Sequence, residues 1–123
     1  MPSSLAPILN DTKWEELRLA MYALGSESPR FRAKDIKTSQ PGPWDGEWFY
    51  HFRDGGYRSL EWVELQLRDQ SQRDAVARIL ASINLPGMHT DAGFIVYGHV
   101  VPGAPIEYIR SSSNTSLERT REG

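Results

Sequence analysis

The sequence predicts an α+β fold: an antiparallel sheet of about four to five strands with two amphipathic helices on one face, in the order α-β-β-β-α-β. Three observations support this. Two segments, 12–24 and 71–83, carry apolar residues at helical spacing. The stretch Pro43–Leu67 holds three of the four tryptophans and is divided by Asp54-Gly55-Gly56, which is typical of a β-hairpin. The segment 93–101, GFIVYGHVV, has apolar residues on both faces, as expected in the middle of a sheet.

The first helix is predicted over residues 12–24, after a flexible lead-in at 1–9. Thr12 and Glu15 have the spacing of a capping box at the helix start, and Gly25 is suited to end the helix. The stripe that should face the sheet consists of Trp14, Leu17, Met21 and Leu24.

An edge strand is predicted in 29–38, because alternating basic residues discourage pairing with another sheet edge. A loop with two prolines and a glycine follows at 39–43. The hairpin strand 47–53 would place Trp48, Tyr50 and Phe52 on one face. The strand 57–67 has apolar residues on both faces, so it is either central in the sheet or reversed by a bulge near Trp62.

The second helix is predicted over 71–83, with Ser71 and Asp74 as its capping pair and Asn84 and Pro86-Gly87 at its end. Its buried stripe consists of Val76, Ile79, Leu80 and Ile83. Gly98 within the strand 93–101 indicates a bulge or close packing, and 106–109 could add a short edge strand.

Length and composition predict one domain over residues 1–110 and a flexible tail over the polar residues 111–123. The chain has no cysteine, which excludes disulfides, thiolate catalysis and cysteine-based metal sites. The start is a poor signal peptide and no apolar run reaches the length of a membrane span. We therefore expect a cytoplasmic protein that does not bind a membrane.

Charge is uneven along the chain and indicates the kind of partner. Residues 41–69 carry six acids and three bases, a local charge of −3. This argues against binding phosphates there and is compatible with a partner that presents a basic face. The basic residues of 30–37 with Phe31 are better explained as a solvated edge strand than as a nucleic-acid surface, since Asp35 and Glu27 dilute them.

The candidate site is a recognition surface in which aromatic residues lie among charged ones. Its predicted partner-binding residues are Trp44, Asp45, Glu47, His51, Arg58, Glu61 and Glu64. The structural alternative is cross-strand pairing of Glu47 or Glu61 with Arg58 or Arg53, with the tryptophans in the core.

Catalytic and metal chemistry are less well supported by the residue pattern. Paired carboxylates can serve acid–base reactions, but acids at strand spacing are common on solvated faces. His51, His89 and His99 with Asp91 match no metal-ligand spacing, so no metal is expected. The chain also contains no G-x-S-x-G, P-loop or G-x-G-x-x-G motif, so no catalytic residue or cofactor is assigned.

The motifs W-D-G-E-W-F-Y-H-F at Trp44–Phe52, G-G-Y at Gly55–Tyr57 and E-W-V-E at Glu61–Glu64 resemble an uncharacterised family of small single-domain bacterial proteins. Proteins of this size and charge resemble immunity proteins of bacterial toxins. The resemblance implies a protein-binding module, specifically an immunity protein that neutralises a toxin by occlusion. The alternative is a small enzyme or ligand-binding domain that uses Glu47, His51 and Glu61. The oligomeric state stays open.

Overall fold

A computed structural model of the chain describes residues 5–110, and the predicted tail at 111–123 lies outside the described residues. The elements are β1 (Ala6–Pro7), α1 (Asp11–Ala23), β2 (Arg30–Asp35), β3 (Leu60–Gln66), α2 (Gln70–Ile83), β4 (Gly87–His89), β5 (Gly93–Tyr97) and β6 (His99–Val100). The strands are antiparallel throughout, in one sheet of order β2-β3-β5-β4 and a second pair, β1-β6. The α+β class is therefore confirmed.

The core lies between the helices and one face of the four-stranded sheet. Alternate residues of the strands are buried there with most of both helix stripes, and include Trp14, Leu17, Met21, Phe31, Val63, Leu65, Val76, Leu80, Phe94 and Val96. The other predicted stripe residues, Leu24, Ile79 and Ile83, are partly buried against this core. Burying each large apolar side chain contributes about 1.5–3 kcal/mol, so this shared face is the main source of stability. None of the helices within residues 5–110 has the length and apolar character that crossing a bilayer requires.

The predicted strand 47–53 is wrong, and with it the hairpin. Residues 48–55 form successive turns, and the preceding Asp45 forms an isolated bridge with Phe31. Trp48 and Phe52 are both buried while Tyr50 is exposed, which is the spacing of a helical turn rather than a strand. The Glu47 carboxylate accepts from the backbone N–H groups of Tyr50 (2.9 Å) and His51 (2.8 Å), which stabilises the turns.

Strand β3 is central, with β2 on one side and β5 on the other. Val63 and Leu65 face the helices, and Trp62 and Glu64 face outward. The register pairs Lys34 with Trp62 but Asp35 with Leu60, which leaves Glu61 as an extra residue. Both alternatives predicted for this segment are thus present: a central position and a bulge next to Trp62.

Both helices begin at a residue other than the predicted cap. Asn10, not Thr12, caps α1 by accepting from the Lys13 N–H at 2.9 Å. Asp69, not Ser71, caps α2 by accepting from the Gln72 N–H at 2.8 Å. The helix ends agree with the prediction, since Gly25 (φ +61°) and Asn84 (φ +65°) take the left-handed conformation.

The ends of the chain also differ from expectation. Ala6–Pro7 pairs with β6, so residues 5–9 are not a free lead-in. The predicted strand 93–101 divides at Gly98, where a Cβ would lie 2.4 Å from the Leu60 carbonyl oxygen, so close packing is confirmed there. Strand β4 was not predicted, and 106–109 forms only an isolated bridge between Tyr108 and Pro86.

Candidate functional site

The segment Trp44–Arg53, here called the aromatic loop, is held to the core by its inward-facing rings. The Trp48 and Phe52 rings pack on Phe31 at centroid distances of 4.5 and 5.1 Å. The Trp48 indole N–H also donates to the Pro29 carbonyl at 2.9 Å. Because these aromatic contacts are buried, the loop is fixed although it contains no strand.

A buried arginine supplies the second attachment of the aromatic loop. Arg18 on α1 donates from Nε and Nη2 to the two oxygens of Glu15, each at 3.0 Å, and from Nη1 to the Phe49 carbonyl. The Tyr57 hydroxyl donates to Glu15 as well. The hydrogen bonds from Arg18 and Tyr57 lower the pKa of Glu15, while burial and the Glu15 carboxylate raise the pKa of Tyr57. The cluster therefore keeps a charged Glu15 and a neutral Tyr57.

The outward-facing side of the same region is an exposed group of apolar side chains. Phe49 lies 5.0 Å from Tyr22 of α1 and 4.9 Å from Tyr50, by ring centroids. Arg18 covers the Phe49 ring at 4.8 Å. Tyr22 is 54% exposed, Tyr50 is 65% exposed, and Leu19 is exposed one helical turn before Tyr22. We call Leu19, Tyr22, Phe49 and Tyr50 the aromatic patch.

Three of the predicted site residues meet beside the aromatic patch. His51 Nδ1 lies 2.8 Å from Asp45 Oδ2 and 4.0 Å from Glu47 Oε1. Burial alone would raise the pKa of Asp45, but the Glu47 backbone N–H and the His51 imidazole outweigh it and the pKa is lowered. The His51 backbone N–H likewise lowers the pKa of Glu47. Both acids are therefore ionised at neutral pH and occupied by local hydrogen bonds.

The other predicted acids lie on the outward face of the sheet and are paired across strands. Glu64 accepts from Arg32 Nε at 2.9 Å, and Glu61 accepts from Lys34 Nζ at 2.6 Å. The Arg32 guanidinium also lies over the Trp44 ring at 4.7 Å. The cross-strand pairing predicted as the alternative is therefore present, but its basic partners come from β2 rather than from Arg53 or Arg58.

The structure divides the predicted site into separate groups. Asp45, Glu47 and His51 are together, while Glu61, Glu64 and Trp44 belong to the sheet face. Arg58 is exposed and has no ion pair within residues 5–110. Two tryptophans are in the core as the alternative expected, Trp14 and Trp48, whereas Trp44 and Trp62 are half-buried.

The aromatic patch was not predicted from the sequence. Tyr22 lies outside the apolar stripe of its helix, which was the available signal that this ring points away from the core. Its contact with Phe49 joins positions 27 residues apart, and nothing in the local pattern indicates that contact.

The histidines are separate from one another. His99 Nδ1 lies 2.7 Å from the Leu60 carbonyl, and the His89 ring packs on Phe94 at 4.8 Å. Over the described range 5–110, no three histidine, aspartate or glutamate side chains are placed to hold a metal ion.

Comparison with known proteins places the chain in a family. A model of DUF6678, a family of unknown function, matches residues 2–103, and the chain belongs to that family. No curated protein and no solved structure matches the chain.

Proposed function

We propose that this family member is a cytoplasmic protein-binding module that holds its partner through the aromatic patch. The observation that carries the proposal is the contact of the Phe49 ring with both Tyr22 and Tyr50, since these two tyrosines are more than half exposed. Tyrosine and phenylalanine side chains grouped on a surface are typical of the central contacts of protein interfaces. Tyrosine also orders few rotatable bonds on binding, so its contact area costs little conformational entropy.

The patch is already rigid before a partner arrives. Its backbone is held by Arg18 and by the Glu47 carboxylate, and its inner side by the buried Trp48 and Phe52. A preformed surface avoids the free-energy cost of ordering a loop upon association. This favours steric occlusion of a partner, which needs a fixed complementary surface and no catalytic group.

Charge around the patch indicates a basic partner. Residues 11–22 and 44–53 together carry five acids and three bases, a local charge of −2. Acids around an interface speed the association with a basic surface and are screened over about 8 Å at physiological ionic strength. The specific role we propose is that of a bacterial immunity protein that covers the basic active-site cleft of a toxin.

An enzyme built on Glu47, His51 and Glu61 receives less support. Glu61 is paired with Lys34 on the sheet face, and the Glu47 carboxylate holds two backbone N–H groups. Within residues 5–110, no hydrogen bond or ion pair joins Glu61 to the other two side chains. A shared reaction centre would require these groups to converge on one substrate atom.

Affinity capture with matched variants tests the proposal. The wild-type chain is expected to retain its partner from a lysate of the native host. The Tyr22→Ala/Tyr50→Ala double variant is expected to retain at least tenfold less of that partner. Val101→Ala is the control, because it truncates an apolar side chain of similar exposure (52%) outside the patch. Retention by the double variant, with its thermal melting unchanged, would place the interface elsewhere, and selective loss in Val101→Ala would assign it to the neighbourhood of β6.

A further inference from the structure

Strand β4 lies at the end of the four-stranded sheet, and the chain's own residues 105–110 run along its outer side. Two main-chain hydrogen bonds hold this segment: Gly87 N–H donates to the Glu107 carbonyl, and Ile109 N–H donates to the Leu85 carbonyl, both at 3.0 Å. The contact is antiparallel and centres on the bridge between Pro86 and Tyr108. The segment thus extends the sheet without forming a full strand.

The segment buries only one of its large apolar side chains, and His89 Nε2 lies 3.2 Å from its Arg110 carbonyl oxygen. Ile109 is 3% exposed, while Ile106 and Tyr108 are among the exposed large apolar side chains. An open cleft of about 690 Å³ lies between the segment and β4. The cleft is lined by Gly87, Met88 and His89 on the strand side and by residues 106–110 on the other.

The strand side of the cleft has the features of a site for an extended chain. Tyr97 N–H donates to the Pro86 carbonyl and Thr90 N–H to the Gly93 carbonyl. Along an antiparallel strand, the backbone groups of successive residues point alternately towards the partner strand and away from it. Because Pro86 and Thr90 bond to β5, Gly87 and His89 point their backbone N–H and C=O groups away from β5 and towards the cleft. Of these outward-pointing N–H and C=O groups of Gly87 and His89, only the Gly87 N–H has a backbone partner within residues 5–110, and that partner is the Glu107 carbonyl.

Because Gly87 has no side chain, it leaves a space that the Ile109 side chain occupies, here called the seat. A Cβ on Gly87 would lie 2.8 Å from Ile109 Cδ1 and 2.0 Å from the Ile95 carbonyl oxygen, so any side chain there would fill the seat. The seat therefore accepts a branched aliphatic side chain that approaches along the open strand edge. The seated segment shows directly which chemistry the edge accepts.

We propose that the β4 edge is a peptide-binding site for an extended, antiparallel segment of a partner protein that places a branched aliphatic residue over Gly87. Residues 105–110 are its intramolecular occupant, and a partner segment replaces them by continuing the same main-chain pairing. Exposed sheet edges recruit strands in this way, with main-chain hydrogen bonds for affinity and side-chain seats for specificity. Residues 105–110 also lie beyond the 2–103 stretch that matches the family model, as expected for an addition to a shared core. This site is distinct from the aromatic patch and does not depend on it.

Amide hydrogen exchange on the full, unmodified chain is the first test. If residues 105–110 leave the edge while the sheet stays intact, the Gly87 and Ile109 amides exchange at least tenfold faster than the Tyr97 amide, which is bonded to the other side of β4. Equal protection of the three amides would overturn the proposal, because the segment would then open only with the whole sheet.

Peptide binding to the full chain is the second test. The probe is the end-blocked hexapeptide of residues 105–110, PIEYIR, added to wild type and to I109D, which empties the seat. The expected result is at least tenfold tighter binding to I109D, with amide shifts at Gly87–His89 and none from a control peptide in which aspartate replaces the isoleucine before the arginine. A folded I109D chain without these shifts at millimolar peptide overturns the proposal. So does an I109D dimer that the peptide fails to dissociate, since a second copy would then be the occupant.

Discussion

Arg18→Met should destabilise the protein by about 3 kcal/mol, because Arg18 connects α1 to the aromatic loop. The substitution keeps an unbranched side chain under Phe49 but removes the donors to Glu15 and to the Phe49 carbonyl. Breaking one side of a buried ion pair costs about 3–5 kcal/mol. The Glu15 side chain is 35% exposed, and water can partly replace the lost donors, so the lower end of that range applies.

Urea unfolding followed by tryptophan fluorescence measures this loss, provided that the slope with denaturant is unchanged. Glu15→Gln is the matched partner, because it removes the charge of the acceptor while keeping its shape. The double variant should lose less than the sum of the two single losses, since both substitutions act on one cluster. A loss below about 1 kcal/mol in Arg18→Met, or strict additivity with Glu15→Gln, would show that this pair does not anchor the loop.

Four further measurements test the fold. Leu17→Ala should lower the unfolding free energy by about 2–5 kcal/mol because Leu17 is fully buried, whereas Ile79→Ala should cost less since Ile79 is only partly buried. Stability should fall as pH drops below about 4.5, the ordinary pKa of a glutamate, because the pKa of Glu15 is lowered in the folded state. Glu15→Gln should remove that part of the acid dependence. Stability should also fall as pH rises above 10, the ordinary pKa of a tyrosine, because the pKa of Tyr57 is raised in the folded state. Tyr57→Phe should remove this effect. Truncation after Arg110 should leave the melting temperature within a few degrees, and a large drop would show that 111–123 contributes to the fold.

The helices and the central strand were predictable because their signals are local. The helical stripes identify α1 and α2, and the glycine and asparagine after them give the ends. The predicted helix starts are one residue too late and the predicted caps two residues too late. Asn10 and Asp69 precede Thr12 and Ser71, and any of the four can cap a helix. Which one caps depends on backbone geometry that the residue types alone do not decide.

The sequence around Trp48 misled because its apolar residues fit two periods. Trp48, Tyr50 and Phe52 alternate as in a strand, while Trp48 and Phe52 alone have the spacing of a helical turn. The choice between them depends on contacts with Phe31 and on the capping Glu47 carboxylate, which are made by the fold. Local pattern therefore identified the aromatic segment correctly and its conformation incorrectly.

The expectation that the acids of this segment exceed their neutralising bases did not allow for bases from another strand. Glu61 and Glu64 looked unneutralised because only bases within the same segment were counted, yet the register of β2 against β3 brings Lys34 and Arg32 to them. A reversal of those two acids would disturb sheet ion pairs and would not isolate binding. Substitution of Tyr22 and Tyr50, which both contact Phe49, tests the aromatic patch separately, because it leaves the ion pairs of Glu61 and Glu64 in place. Because apolar contact at an interface centre persists in salt while charge steering is screened, salt should slow association with the partner more than it speeds release.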